Sequence, residues 1–127
     1  MKKDNSHTSN TDNIQNFEAQ FKRSTTQLLV LYLLSKREMY AYDIIRETLL
    51  LSNNVYKMPL LYNILNKLEA DGYVMQSRKE ISDDNRVRVY YKITETGNEY
   101  LAGLTKSYLL LSDTVKRILL GERNTNE

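Results

Sequence analysis

The chain has 127 residues, enough for one hydrophobic core and too few for two. Its 41% hydrophobic and 27% charged residues are ordinary for a globular domain in water and exclude a mostly disordered chain. No apolar run approaches the roughly 20 residues of a membrane span, no secretion signal follows Met1-Lys2-Lys3, and a chain without Cys has neither disulfides nor thiolate chemistry, so a reducing, cytoplasmic setting is expected. A net charge of +2 is by itself a weak pointer to a polyanionic partner, so any such reading rests on where the charges lie.

Residues 1–16 are rich in Asn, Ser, Thr, Asp and Lys, carry a single Ile, and are expected as a disordered tail. From Glu18 the spacing of Phe21, Leu28, Leu29, Leu31, Tyr32 and Leu34 predicts a first helix that ends near Ser35-Lys36-Arg37. Tyr40, Ile44, Ile45, Thr48 and Leu49 form the stripe of a second helix, over Tyr40 to Leu51, broken by Ser52-Asn53-Asn54. Pro59, the only proline, suits a first helical position, and Leu60, Leu61, Ile64, Leu65 and Leu68 carry a third helix to Ala70, where Asp71-Gly72 stops it.

Beyond Gly72 the period changes to two. Val87, Val89, Tyr91 and Ile93 fall on one face of a strand, with Arg86, Arg88, Tyr90 and Lys92 on the other, and Tyr73 to Lys79 is the expected partner strand. The polar run from Glu80 to Asn85 is long for a tight turn and predicts a mobile hairpin tip. Thr94 or Thr96, the latter in a capping box with Glu99, starts a last helix that runs to about Leu120. Leu101, Leu104, Leu111, Val115 and Ile118, with Tyr108 between, alternate steps of three and four, the stripe of a helix packed on another helix. That stripe serves either a dimer seam or packing on the first helix of the same chain.

The expected fold is therefore mainly α with a small β-hairpin: a winged helix-turn-helix over residues 17–93, a dimerisation helix over residues 94–120 and a flexible tail over residues 121–127. A helix-turn-helix lays its second helix in the major groove, which makes the third helix here the reader of DNA, with Tyr62, Asn63, Asn66 and Lys67 outward and Lys79, Arg86 and Arg88 on the wing. Two such helices in a homodimer, about 34 Å apart, suit a palindromic site in double-stranded DNA. An enzyme is disfavoured: the sole histidine, His7, lies in the polar tail, and there is no phosphate loop or metal-spaced cluster, so neither a cofactor nor a metal is expected. The competing reading is a winged-helix adaptor that binds another protein instead of DNA.

Met39-Tyr40-Ala41-Tyr42-Asp43-Ile44, then Leu61-Tyr62 with Leu65-Asn66-Lys67-Leu68-Glu69-Ala70-Asp71-Gly72, then Arg88-Val89-Tyr90-Tyr91-Lys92-Ile93-Thr94-Glu95-Thr96-Gly97 resemble the PadR family of bacterial transcription regulators, in order and spacing, over about Phe17 to Leu120. The resemblance implies a dimeric repressor whose last helix packs against the partner's first, released from its operator by a small aromatic or cationic compound. It places DNA contacts on Tyr40, Tyr42, Tyr62, Asn63, Lys67, Arg86 and Arg88. The short C-terminal region is similar to the single-helix, multidrug-sensing subgroup, which implies a seam pocket for a planar aromatic effector. Tyr108 stands there where relatives carry Trp, and Phe21, Thr25, Leu28, Tyr100, Leu101, Leu104 and Ser112 line the rest. The chain departs from the family's usual residues at Ala41, Pro59, Leu60 and Asn63, and the last of these lies on the reading helix.

Overall fold

The computed structural model describes residues 9–123 other than Pro59, so the expectations for residues 1–8, for residues 124–127 and for Pro59 as a first helical residue lie outside the described residues. In chain order the elements are α1 (Asn10–Leu34), β1 (Met39–Tyr40), α2 (Ala41–Leu51), α3 (Leu61–Ala70), β2 (Val74–Ile81), β3 (Val87–Ile93) and α4 (Glu95–Leu119).

Asn10 to Asn16, expected in a disordered tail, are instead the first turns of α1. Ser9 caps them, its Oγ accepting from the Asp12 N–H at 3.1 Å, and Asp12 in the first turn complements the helix dipole. The second half of the helix supplies the nucleus, with Thr25, Thr26, Val30, Leu31, Leu33 and Leu34 buried; once that half is helical, each further residue adds one hydrogen bond at little cost, so a stretch without an apolar face still propagates.

The core takes side chains from every layer: Val30 and Leu31 of α1, Ile44 of α2, Leu65 and Leu68 of α3 and Val74 of β2 are essentially inaccessible. Each contributes roughly 1.5–3 kcal/mol from burial, which makes these contacts the frame on which α3 is held. In α4 Tyr100, Leu101 and Leu104 pack against this core, whereas the apolar side chains after Leu104 do not.

The wing is a three-stranded antiparallel sheet in the order β1-β3-β2, where a two-stranded hairpin was expected. Met39 and Tyr40 pair with Tyr91 and Tyr90, so β3 is the central strand. Consequently Tyr90, expected on an open outer face, is 9% exposed beneath Tyr40 and Arg78, while Val87, expected inward, is 63% exposed because it lies past the end of the core. The hairpin tip is also tighter than expected. The Ser82 N–H donates to the Arg86 carbonyl at 2.8 Å, the Asn85 N–H donates to the Ser82 carbonyl at 2.9 Å, and Asn85 takes the left-handed conformation (φ 65°), a three-residue loop built on one turn.

A bulge between Gln76 and Arg78 leaves Ser77 without a ladder partner. Past it, Arg78 pairs with Tyr90 and Glu80 with Arg88, whereas an unbroken β2 sets Ser77 and Lys79 on that face. The cap of α4 is Thr94, whose Oγ1 accepts from the Gly97 N–H at 3.0 Å, and no Thr96–Glu99 capping box forms. Thr94 also binds the turn between α3 and β2, its N–H donating to the Tyr73 carbonyl at 3.0 Å and its Oγ1 to the Gly72 carbonyl at 2.7 Å. These bonds fix where the long helix leaves the domain.

Candidate nucleic-acid interface

The N-terminus of α2, the start of α3 and the hairpin surround an open cleft of about 440 Å³. Tyr40, Tyr42, Tyr62, Arg86 and Arg88 all border it, with Tyr91 among the lining residues. Burial raises the Tyr91 phenol above its ordinary value, so it stays a neutral hydrogen-bonding group there. Tyr42 and Tyr62 are 58% and 65% exposed, an unusual degree for aromatic side chains that have no solvent-facing structural task.

Stacking arranges the aromatic and cationic groups. The Arg88 guanidinium lies 4.8 Å from the Tyr40 ring centre, and Tyr40 packs on Tyr90 at 5.3 Å and on Tyr42 at 6.3 Å. At the far end Arg78 lies 3.8 Å over Tyr90, fixed by Glu38 Oε1 at 3.0 Å and by Glu80, while Tyr90 Oη donates to Glu80 Oε1 at 3.1 Å. Hydrogen bonds from Ser77 and Arg78 lower the Glu38 carboxyl below its usual range and keep it ionised as an acceptor. Arg78 and Arg46, whose guanidinium sits 5.6 Å over Tyr42 and 3.0 Å from the buried Asp43 carboxylate, were not singled out from sequence. Arg78 has no spacing signal because it stacks across strands on Tyr90, whereas Arg46 stands four residues after Tyr42 and three after Asp43 on α2, a helical spacing that could have marked it.

Asn63 and Lys67 take the neighbouring strip of α3, away from the tyrosine cleft. They border a smaller hollow of about 270 Å³ against Ala19 and Arg23 of α1, and Lys67 Nζ is 3.1 Å from Asp71 Oδ2. Arg86 is tethered in a similar way, its Nε 3.3 Å from Asp84 Oδ2. A hydrogen bond from Ser82, followed by the charge of Arg86, holds the Asp84 carboxyl below its ordinary value. With a lowered pKa, the carboxylate stays charged at and above the normal carboxylate range and is lost only as the pH falls below it, so near neutrality it competes with any phosphate for Arg86. Asp84→Asn is therefore expected to tighten duplex binding about two- to fivefold regardless of sequence, the scale of one exposed ion pair. A titration at neutral pH in which the variant binds no better than the parent refutes this role.

The effector residues implied by the resemblance divide into two groups. Phe21, Thr25, Tyr108 and Ser112 line an apolar cavity of about 640 Å³ between α1 and the second half of α4, together with Phe17, Leu111, Val115 and Lys116 among others. Phe21 and Tyr108 meet edge to face at 6.5 Å. Leu28, Tyr100, Leu101 and Leu104 lie outside it: Leu101 and Leu104 pack on the core, and Tyr100 stacks on Tyr73 at 4.1 Å and donates to Gln27 Oε1 at 3.1 Å. The periodicity of α4 spans both groups because its first half serves the core and its second half faces outward. Among the described residues no group of three His, Asp or Glu side chains is arranged to hold a metal, and no helix is long and apolar enough to cross a membrane.

Known proteins share this arrangement of elements. The family model described as the transcriptional regulator PadR-like family matches residues 30–103. Among solved structures, the chain is similar to a protein of Streptococcus mutans at 31% identity, covering 79% of this chain and 91% of that one with a TM-score of 0.62. It is similar to a PadR-like transcription factor of Bacteroides fragilis at 29% identity, with 81% and 98% coverage and a TM-score of 0.63. A PadR-like transcriptional regulator of Bacillus cereus shares the fold at 24% identity, with 81% and 99% coverage and a TM-score of 0.67. No curated protein sequence matches the chain. The family is one of transcriptional regulators and not of enzymes, and by a match that spans more than half of its length this chain belongs to the PadR-like family.

Proposed function

We propose that the protein is a cytoplasmic homodimeric repressor that binds a palindromic operator through α3 and the wing. The observation that carries this reading is the convergence of Tyr40, Tyr42, Tyr62, Arg86 and Arg88 on one cleft beside the exposed side of α3. Arginines grip phosphates, tyrosine hydroxyls hydrogen-bond them, and the outward residues of α3 meet base edges. Asn63 and Lys67 join from the adjoining strip of the same helix, with Lys67 exchanging Asp71 for a phosphate.

Dimerisation is supported by what a single chain leaves uncovered. Phe17 and Phe21 of α1 and Leu111, Val115 and Ile118 of α4 are all between 45% and 71% exposed, an apolar surface that a second copy buries by the same stripe. The effector pocket belongs to this seam. Its lining includes Lys116 and no acidic side chain, so a neutral or anionic planar aromatic fits it better than a cation does, with Phe21 and Tyr108 supplying ring contacts.

The deciding experiment titrates the protein against duplex DNA from directly upstream of its own gene and against a scrambled duplex, with light scattering to give the oligomeric state. A preference of about a thousandfold or more for the native duplex and a dimeric mass support the reading. Equal, weak binding to both combined with a monomeric mass rejects it in favour of a protein-binding adaptor.

A further inference from the structure

The connection from α2 into α3 is irregular. Asn53, Asn54 and Leu60 adopt left-handed backbone at φ 54°, 66° and 50°, the last an unusual place for a bulky side chain. The helix that follows has no side-chain cap, so its entry is set by the connection and not by a local lock.

One residue anchors this connection to a distant element. The Tyr56 N–H donates to Ser52 Oγ at 2.9 Å, which fixes its backbone to the end of α2. Its phenol reaches α1, where Oη lies 2.7 Å from Thr25 Oγ1, 3.0 Å from Thr26 Oγ1 and 3.2 Å from the Lys22 carbonyl oxygen. Thr26 is fully buried and Thr25 is nearly so. Each threonine hydroxyl also has a carbonyl acceptor within α1, Phe21 at 2.8 Å for Thr25 and Lys22 at 2.6 Å for Thr26, so either can donate there or to Tyr56, and the phenol is surrounded by α1 oxygens. Thr25 also lines the cavity between α1 and α4. One hydroxyl thus joins the wall of that cavity to the segment that delivers the reading helix.

We propose that Tyr56 is the positioning residue that sets the start of α3 against α1, so that a displacement of α1 at the cavity wall reaches the reading helix through its hydroxyl. The effect on DNA rests on the proposed role of α3; the positioning itself does not. Tyr56→Phe is a selective probe, because it keeps the ring and leaves both threonine hydroxyls donating to backbone carbonyls, so no donor is stranded and the fold is retained.

Hydrogen exchange of the full chain followed by mass spectrometry reads the positioning directly. In Tyr56→Phe, amides over residues 52–66 are expected to exchange about tenfold faster, the equivalent of one net hydrogen bond, while those of Val30 to Leu34 and of β3 keep their rates. The double variant Thr25→Val, Thr26→Val is expected to raise exchange over the same residues, and adding Tyr56→Phe to it is expected to add less than its effect in the parent, because only the bond to the Lys22 carbonyl remains to be lost. Unchanged exchange over residues 52–66, a uniform rise across the chain, or independent addition of the two variants overturns the proposal. Duplex titration then separates the two readings. A three- to tenfold loss of affinity for the promoter duplex, with the scrambled duplex unaffected, supports both; altered exchange with unaltered promoter affinity upholds the positioning and removes α3 as the reader of DNA.

Discussion

Replacing Arg86 and Arg88 together by Ala is expected to lower the slope of log affinity against log salt by about two units, one for each phosphate no longer neutralised, and to weaken duplex binding by about one to two orders of magnitude near 0.1 M salt. The two arginines act by different routes. Arg88 is held ready by the Tyr40 face at 4.8 Å, whereas Arg86 gives up Asp84 at 3.3 Å before it meets a phosphate, so Arg88 accounts for the larger share of the effect. Lys67→Ala gives the contrasting case, since its ammonium already has Asp71 at 3.1 Å and the net gain from a phosphate is correspondingly small. Neither arginine is a core residue, so circular dichroism of the double variant is expected to match the parent. An unchanged salt slope would falsify the assignment of the wing to DNA.

Gly97→Ala is expected to cost about 3 kcal/mol of stability and to lower Tm by roughly 10 °C or more, the scale of an unrelieved backbone clash in a domain of this size. A Cβ at Gly97 meets the Tyr73 carbonyl oxygen at 2.1 Å and Ile93 Cγ1 at 2.7 Å. Tyr73 cannot retreat, because its carbonyl also accepts the Thr94 N–H and its ring stacks on Tyr100. Gly103→Ala, in the same helix, is the control with the opposite sign: nothing lies within 4 Å of its Cβ, so the substitution is expected to stabilise by about 0.5–1 kcal/mol through helix propensity alone. Thermal melts of the two variants check both expectations, and comparable small shifts in each would show that α4 leaves the domain by another path. For the proposed dimer the consequence is direct, since α4 carries the exposed apolar stripe and its exit angle from Gly72 and Tyr73 would set how far apart two copies hold α3.

The parts of this molecule that were legible in the sequence are those governed by local rules. Helix periodicity located α2, α3 and the well-packed half of α1, because Ile44, Leu65, Leu68 and Leu31 must share a face to be buried. Thr94 or Thr96 announced the start of α4 to within two residues, with the structure selecting Thr94, and the change to a period of two announced β3. The resemblance drew Tyr40 and Tyr42 towards the same site as Tyr62, Arg86 and Arg88, and those five residues border one cleft.

What tertiary structure alone decided depends on contacts between residues far apart in the chain. Two residues are too few to show a period, so β1 emerges only when Met39 and Tyr40 lie beside Tyr91 and Tyr90. That pairing buries Tyr90, and the bulge at Ser77 delivers Arg78 to cover it. One continuous stripe on α4 gave no sign that Leu101 and Leu104 serve the core while Tyr108 and Leu111 face a cavity, since the division depends on where along α4 the core of the other elements ends. Tyr56 is the clearest case: an isolated tyrosine in a connection has no pattern around it, and its role is set by hydroxyls 30 and 31 positions away that only the folded chain brings within 3.0 Å.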